Sequence, residues 1–411
     1  MEYSLTPSEV EKRQFKDEIV LMLRDAVRVE LSTIPLYLYS IFSIRNDNGA
    51  GGSMTRKKIL GSLSFKPHLI KLLIPRRVVV VHQEMLHLAL AGNLLTSIDS
   101  GPQLYSTASV PTYGGPDDFM LHSKIPLKLQ LCDKSMLKSF LQIEAPYEKP
   151  QILSDTEEQA DITSSSIWET LWYGILTQFN SIGEFYTKLE SMIINCEPYL
   201  EFKNREIQYS PTEFFSDMMV QIVDQKSAYK ALKLIIDQGE GSVGVEEAHY
   251  QMFLDLYQGP TTWQCWPVPA SPTTKMYADD PFLHELALAS NAVYCYLLIT
   301  IQKTWRAADL VVRRALIAMI HSIMLDVLSP LADLMVEKPF KDGQHAAPPF
   351  EFYRTKAGED PEKVDDAGVE LHQKLKGHLD AAAELANRDD KETLQLIRSA
   401  VDRIPWPGNE V

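Results

Sequence analysis

The chain is poor in cysteine, in basic clusters and in long uninterrupted apolar runs, and each shortage removes a class of protein. Its four cysteines in 411 residues (Cys132, Cys196, Cys265 and Cys295) are widely spaced and include no C-x-x-C pair. That argues for reduced thiols rather than a disulfide framework. No stripe of lysine and arginine offsets a net charge of −15, so no nucleic-acid partner is expected. The most apolar stretches, near 286–301 and 310–328, are short or carry Arg313 and Arg314, which reads as buried core rather than membrane span. The opening MEYSLTPSEVEKRQ is polar and acidic with no apolar leader, so a cytoplasmic protein without a membrane partner is expected. Repeats of fixed period and low-complexity tracts are also missing. What remains, 45% apolar and 23% charged residues, is the composition of an ordinary globular chain. Its length suggests two domains.

The surviving pattern is helical. Thr6-Pro7-Ser8-Glu9 reads as a capped start, with Pro at the first helical position and Glu completing a capping box. The first helix should run to about Ile44. Ile19, Leu23, Ala26, Val27 and Glu30 share one stripe, so Glu30 is a carboxylate on a face due to be buried; its bland alternative is pairing with Arg24 or Arg28. Pro35 removes a helical hydrogen bond and predicts a kink. After a loop at 46–53, Pro75 can open a second helix ending near Asp99. It carries Glu84 and His87, while His82 faces elsewhere. Residues 100–165 lose helical periodicity and read as a long irregular crossover with a short strand at 127–131. A third helix is expected over Ser165–Asn195, where Glu184 sits among Ile182, Phe185 and Leu189; Glu169 and Glu190 are its rivals. A further helix stops at Gly239-Glu240-Gly241. The next starts near Val245 and carries Glu246 and His249, with Glu247 off the histidine's face.

Of ten histidines, only His87 and His249 follow a glutamate by three residues. At 3.6 residues per turn, that spacing puts Glu84 with His87, and Glu246 with His249, on one helix face each. A carboxylate and an imidazole so placed can reach one metal ion. Two such helices, plus one glutamate from each of two others, make the ligand set of a di-metal carboxylate bundle. The chain offers Glu30, Glu84 with His87, Glu184, and Glu246 with His249, in that order.

The phrases ELSTIPLYLYSIFSI, HQEMLHLALAGNLLTSI, SIGEFY, DQGEG and EEAHYQMF resemble the ferritin-like family that includes the iminophenyl-pyruvate dimer synthases of violacein- and rebeccamycin-type pathways. HAAPPFEFY at 345–353 extends the likeness beyond the bundle. The resemblance implies Glu30, Glu84, His87, Glu184, Glu246 and His249 as metal ligands. Gln83 stands where relatives often show a second glutamate, which costs nothing at the metal.

The expected architecture is all-α: a ferritin-like four-helix bundle with a long crossover over 1–259, a Pro/Thr/Trp-rich connection at 260–281, and a C-terminal helical domain over 282–411. Helices are expected at about 282–304 and 308–336, with Tyr294, Tyr296 and Trp305 as core, followed by one or two peripheral amphipathic helices. His284, Arg313 and His321 read the same way, and His372 and His378 as solvated. The implied cofactors are two iron ions, or manganese with iron, and dioxygen as co-substrate. No catalytic side chain is expected beyond the ligands, although Tyr37, Tyr39, Tyr173 or Tyr186 could relay electrons. The expected activity is that of a non-heme di-iron oxidase or oxygenase acting on a small amino-acid-derived molecule. A reductase or a pathway enzyme is the expected partner, and a homodimer the default assembly. The competing expectation is an iron-binding or scaffold protein without an organic substrate.

Overall fold

A computed structural model describes residues 7–45, 56, 80–99, 101–146, 176–195, 200–239 and 248–406. Helix α1 (Pro7–Ser43) continues through Pro35, and its cap at Thr6 lies outside the described residues. The second helix, α2 (Val80–Ile98), is buried along nearly its whole length. The crossover is irregular, as its Pro and Gly content predicts, but its only described strands pair Phe119–Met120 (β1) with Ile125–Pro126 (β2), and 127–131 is not one of them. It also contains a helix that periodicity did not yield, α3 (Lys134–Ile143). Asp133 caps α3 by accepting from Met136 N, and Met136, Leu137, Phe140 and Leu141 form its buried stripe.

The expected third helix is shorter than its pattern. Residues 165–175 lie outside the described residues, a turn of 3₁₀ helix covers Leu176–Gln178, and α4 runs from Ile182 to Asn195. Ser181-Ile182-Gly183-Glu184 has the sequence of a capping box and restarts the helix, with the glutamate reaching one residue further back than the cap. Ser181 Oγ accepts from Glu184 N at 3.0 Å, and Glu184 Oε2 accepts from Asn180 N at 2.7 Å. Helices α5 (Gln225–Gly239) and α6 (His249–Gln258) follow. Neighbouring contacts close a ring α1–α2–α5–α4, with α3 and α6 packed as a pair and α6 against α5. Lys134, at the start of α3, donates to the carbonyls of Leu256, Tyr257 and Gly259 at the end of α6, satisfying groups the helix leaves unpaired. The two short helices therefore run antiparallel, which brings the end of α3 to the start of α6.

Two apolar cores lie side by side. The first fills the bundle and takes Tyr294, Leu298 and Trp305 from α7 (Pro281–Thr304). The second lies between α7, α8 (Leu310–Ser322), α9 (Ser329–Val336), α10 (Val364–Leu385) and α11 (Arg388–Asp402). Tyr296 is buried in this second core, so all three aromatics are core residues. A π-helical segment, Ile323–Leu328, joins α8 to α9. Ser329 N bonds back five residues to Met324 O there, just before Pro330, which has no N–H to give. The rods Pro281–Thr304 and Leu310–Val336 are long and apolar enough to cross a membrane, yet 78% and 50% of their most apolar windows are buried inside the protein.

Helix α10 is not peripheral. Leu371, Leu375, Leu379 and Ala382 are fully buried against its neighbours. Nor are its histidines simply solvated: His378 is held by Glu285 and Tyr353, and His372 Nε2 lies 2.9 Å from Val401 O.

Candidate metal centre

Glu30 projects from the middle of α1 and Glu84 and His87 from one face of α2, and these helices pack directly together. His249 opens α6, and Glu144 is the residue on which α3 ends. All five are buried. They form two groups, Glu30–Glu84–His87 and Glu84–Glu144–His249, in each of which one donor atom per residue lies within 4.8 Å of the others. Glu84 belongs to both. His87 Nδ1 is 3.6 Å from Glu30 and 3.7 Å from Glu84; His249 Nδ1 is 2.9 Å from Glu84 and 3.5 Å from Glu144.

The distal ring nitrogens are held in matching fashion. His87 Nε2 lies 3.1 Å from Gln238 Oε1, and His249 Nε2 lies 3.0 Å from Gln83 Oε1. An amide oxygen can only accept, so each Nε2 carries a proton and each Nδ1 faces the carboxylates. The carboxylates are held in turn: Thr33 Oγ1 donates to Glu84 Oε2 at 2.5 Å, Tyr37 donates to Glu144, and Tyr186 donates to Glu30. A cavity of about 20 Å³ lies among these side chains, walled by Val29, Ile182, Ile235 and Ile236. That is room for about one water-sized body.

Three buried carboxylates so close together repel each other unless cations intervene. Burial pushes the Glu30 carboxyl up. Glu84 is held below the usual range because His249 and His87 outweigh the effect of burial. Burial alone would lower His249, but Glu144 and Glu84 push it up to about 10, and Glu30 and Glu84 raise His87 in the same way. Burial raises both Tyr37 and Tyr186, with Glu144 and Glu30 beside them adding to it, so both phenols stay protonated and donate. Protons on the imidazoles thus balance charge that metal cations could balance instead. One buried atom marks where: among the described residues His249 Nδ1 satisfies no full hydrogen bond, although Glu84 Oε1 lies 2.9 Å from it. The donor set and this unsatisfied nitrogen fit a pair of metal ions.

Of the six residues singled out by spacing, Glu30, Glu84, His87 and His249 come together. Glu246 lies outside the described residues. Glu184 does not join either group; it is half-buried at the start of α4, with its carboxylate on Asn180. Glu144 stands with the cluster instead. Its signal was present in the sequence: Asp133 as a cap, then apolar residues at 136, 137, 140 and 141, with 144 next on that stripe. Of the candidate tyrosines, Tyr37 and Tyr186 touch the cluster, Tyr39 donates to Pro269 O, and Tyr173 lies outside the described residues.

A family model described as ferritin-like matches residues 23–258, a span holding all five clustered residues. Among curated proteins, the dichlorochromopyrrolate synthase of Lentzea aerocolonigenes is 24% identical over 394 residues, covering 82% of this chain and 36% of its own. The chain thus spans about a third of that relative's length. Among solved structures, a ferritin-like protein from Caulobacter vibrioides aligns over 76% of this chain and 93% of its own, at 19% identity and a TM-score of 0.47.

Proposed function

Because the chain belongs to the ferritin-like family, we propose that its buried cluster holds two iron ions and activates dioxygen to oxidise a small, amino-acid-derived substrate of specialised metabolism. The observation that carries this reading is Glu84's membership of both groups, which suits a carboxylate shared between two ions. Two imidazoles among carboxylates suit iron, or manganese beside iron, better than zinc or copper. The curated relative is by its name a biosynthetic enzyme, which supports catalysis and a metabolic setting.

Bound iron would supply the electrons that reduce dioxygen. The chain's own residues do the rest. Glu30, Glu84, Glu144, His87 and His249 would hold the ions, with Glu246 the sixth ligand that the motif implies. Gln83 and Gln238 fix the imidazoles so that Nδ1 faces inward, and Thr33 pins one oxygen of Glu84. Tyr37 and Tyr186 hold protons against Glu144 and Glu30, where a proton can be given up or taken back. Val29, Ile182, Ile235 and Ile236 keep bulk water away. The products expected are those of oxidative coupling, oxygenation, desaturation or C–C cleavage.

The size of the cavity favours a second reading. At about 20 Å³ it admits no organic molecule among the described residues, as in an iron-binding protein without substrate. Metal analysis after iron-supplemented expression tests the shared premise: about two irons per chain, lost in Glu84→Ala and His249→Ala. Well-folded wild type that takes up no iron after anaerobic Fe(II) loading would overturn both readings. Dioxygen uptake that depends on an added amino acid then favours the oxidase, and uptake indifferent to every one of them favours the second reading.

A further inference from the structure

Outside the metal centre, the feature that points most clearly to a ligand is a cleft of about 570 Å³ beside the middle of α1. Three of its lining residues are Arg24, Arg28 and Arg306, in a chain whose net charge is −15. Arg24 and Arg28 are four residues apart on one face of α1; Arg306 follows the end of α7. Each is fixed by a further contact: Arg24 to Asp99 at 2.9 Å, Arg28 to Asp25 at 2.9 Å, and Arg306 to the carbonyl of Pro361, itself on the cleft wall, at 2.8 Å. A guanidinium has five N–H donors, so each retains others while its position is set in advance. Among the described residues, Glu362 is the one acidic residue lining the cleft.

The remaining walls split into two kinds. Ser106 and Ser109 offer hydroxyls, already joined to each other at 2.8 Å. Val27, Leu31, Leu95, Pro102, Ala108 and Pro361 are apolar. Leu31 also lines a separate apolar cavity with Leu88, Leu298, Trp305 and Met324, so the floor of the cleft abuts the bundle's apolar core. Burial lowers the Arg306 pKa. Glu362 beside it only partly offsets this, so the guanidinium still gains from a further anion.

We propose that this cleft binds a small organic carboxylate, its acid group held between the guanidiniums of Arg28 and Arg306 and its apolar body against Leu31 and Leu95. Arginine's planar fork matches a carboxylate in paired hydrogen bonds. The volume lies in the range of small-molecule sites, and the apolar half leaves part of the cleft unused by an inorganic anion. The inference stands apart from the metal reading, since no cluster residue lines the cleft.

Titration calorimetry on the full chain tests it with three probes: 3-phenylpropanoate, its neutral amide, and inorganic phosphate. The acid is expected to bind about tenfold or more tighter than the amide and than phosphate. Arg28→Gln and Arg306→Gln should each weaken the acid by about tenfold and leave the amide unchanged, with helical circular dichroism and iron content as in wild type. Equal binding of acid and amide overturns the proposal, as does phosphate matching the acid, no binding of the acid, or acid affinity untouched in both variants. The wild-type comparison decides even where a variant fails to fold.

Discussion

A glutamate beside a metal cluster and a glutamate at a helix start answer to different demands, and Glu144 and Glu184 show both. Glu144 is 4% exposed, takes a hydrogen bond from Tyr37 and lies 3.5 Å from His249 Nδ1. Glu184 instead accepts from the backbone and side chain of Asn180, at 2.7 and 3.1 Å, tying the residue before the cap to the first turn of the new helix. The two substitutions should therefore part company. Glu144→Gln keeps the shape but halves the carboxylate's donor capacity, and iron content should fall from about two to about one per chain or less. Glu184→Gln should leave iron content unchanged and lower stability by about 1 kcal/mol or less, the usual scale of a cap. Metal analysis and denaturant unfolding read both; iron lost in Glu184→Gln and kept in Glu144→Gln would reverse the assignment.

At the scale of the element, α2 is legible because its chemistry and its packing repeat with the same period. Glu84 and His87 mark one face, and Gly92 marks a place where something comes close. That something is the Trp305 ring at the end of α7, which would stand 2.2 Å from a Cβ at position 92. Asn93 beside it takes the Trp305 Nε1 hydrogen bond at 3.0 Å. Gly92→Ala would raise helix propensity by about 1 kcal/mol in isolation. Here it should destabilise by about 1–3 kcal/mol, because a fully buried indole has nowhere to retreat. A denaturant midpoint that rises in the variant would show that the ring can move aside. The same comparison explains what the sequence concealed. Helices α1, α2 and α7 are long, so their apolar stripes stand out over many turns. Helix α3 has only ten residues inside a Pro- and Gly-rich crossover, and its few turns are outweighed by their neighbours. The break before α4 was hidden for another reason: apolar residues at 182, 185 and 189 extend the helical pattern, while the cap at Ser181 works through two hydrogen bonds that periodicity does not register.

Across the whole molecule, the C-terminal helices are tied to the bundle side by one buried charge. Arg313 of α8 is 1% exposed, and its guanidinium reaches both sides of the junction. It donates to Thr304 O and Ala307 O between α7 and α8, and to Ile207 O and Gln208 O in the segment leading to α5. Glu213 completes the set, with Nε–Oε1 at 2.7 Å and Nη2–Oε2 at 3.1 Å. Four carbonyls and one oxygen of the carboxylate thus look to a single side chain, the other carboxylate oxygen being shared with Ser210, and losing the arginine leaves them short of donors. Arg313→Ala should cost about 3–5 kcal/mol, the scale for breaking a buried pair from one side. The cost should depend on pH in a definite direction. Burial would raise Glu213, but Arg313 outweighs it and holds the carboxyl below its usual value. The pair's contribution is therefore fully present above the ordinary glutamate range and fades as pH falls through Glu213's lowered value. Without the arginine, burial is opposed only by the hydrogen bonds from Ser210, so that acid-linked loss should shrink or change sign. Thermal unfolding of wild type and variant from neutral pH down to about 3 measures both effects, the window being set by the ordinary glutamate range. A variant within 1 kcal/mol of wild type at neutral pH, or one with the same acid dependence, would show that the two cores hold together by apolar packing through α7 alone.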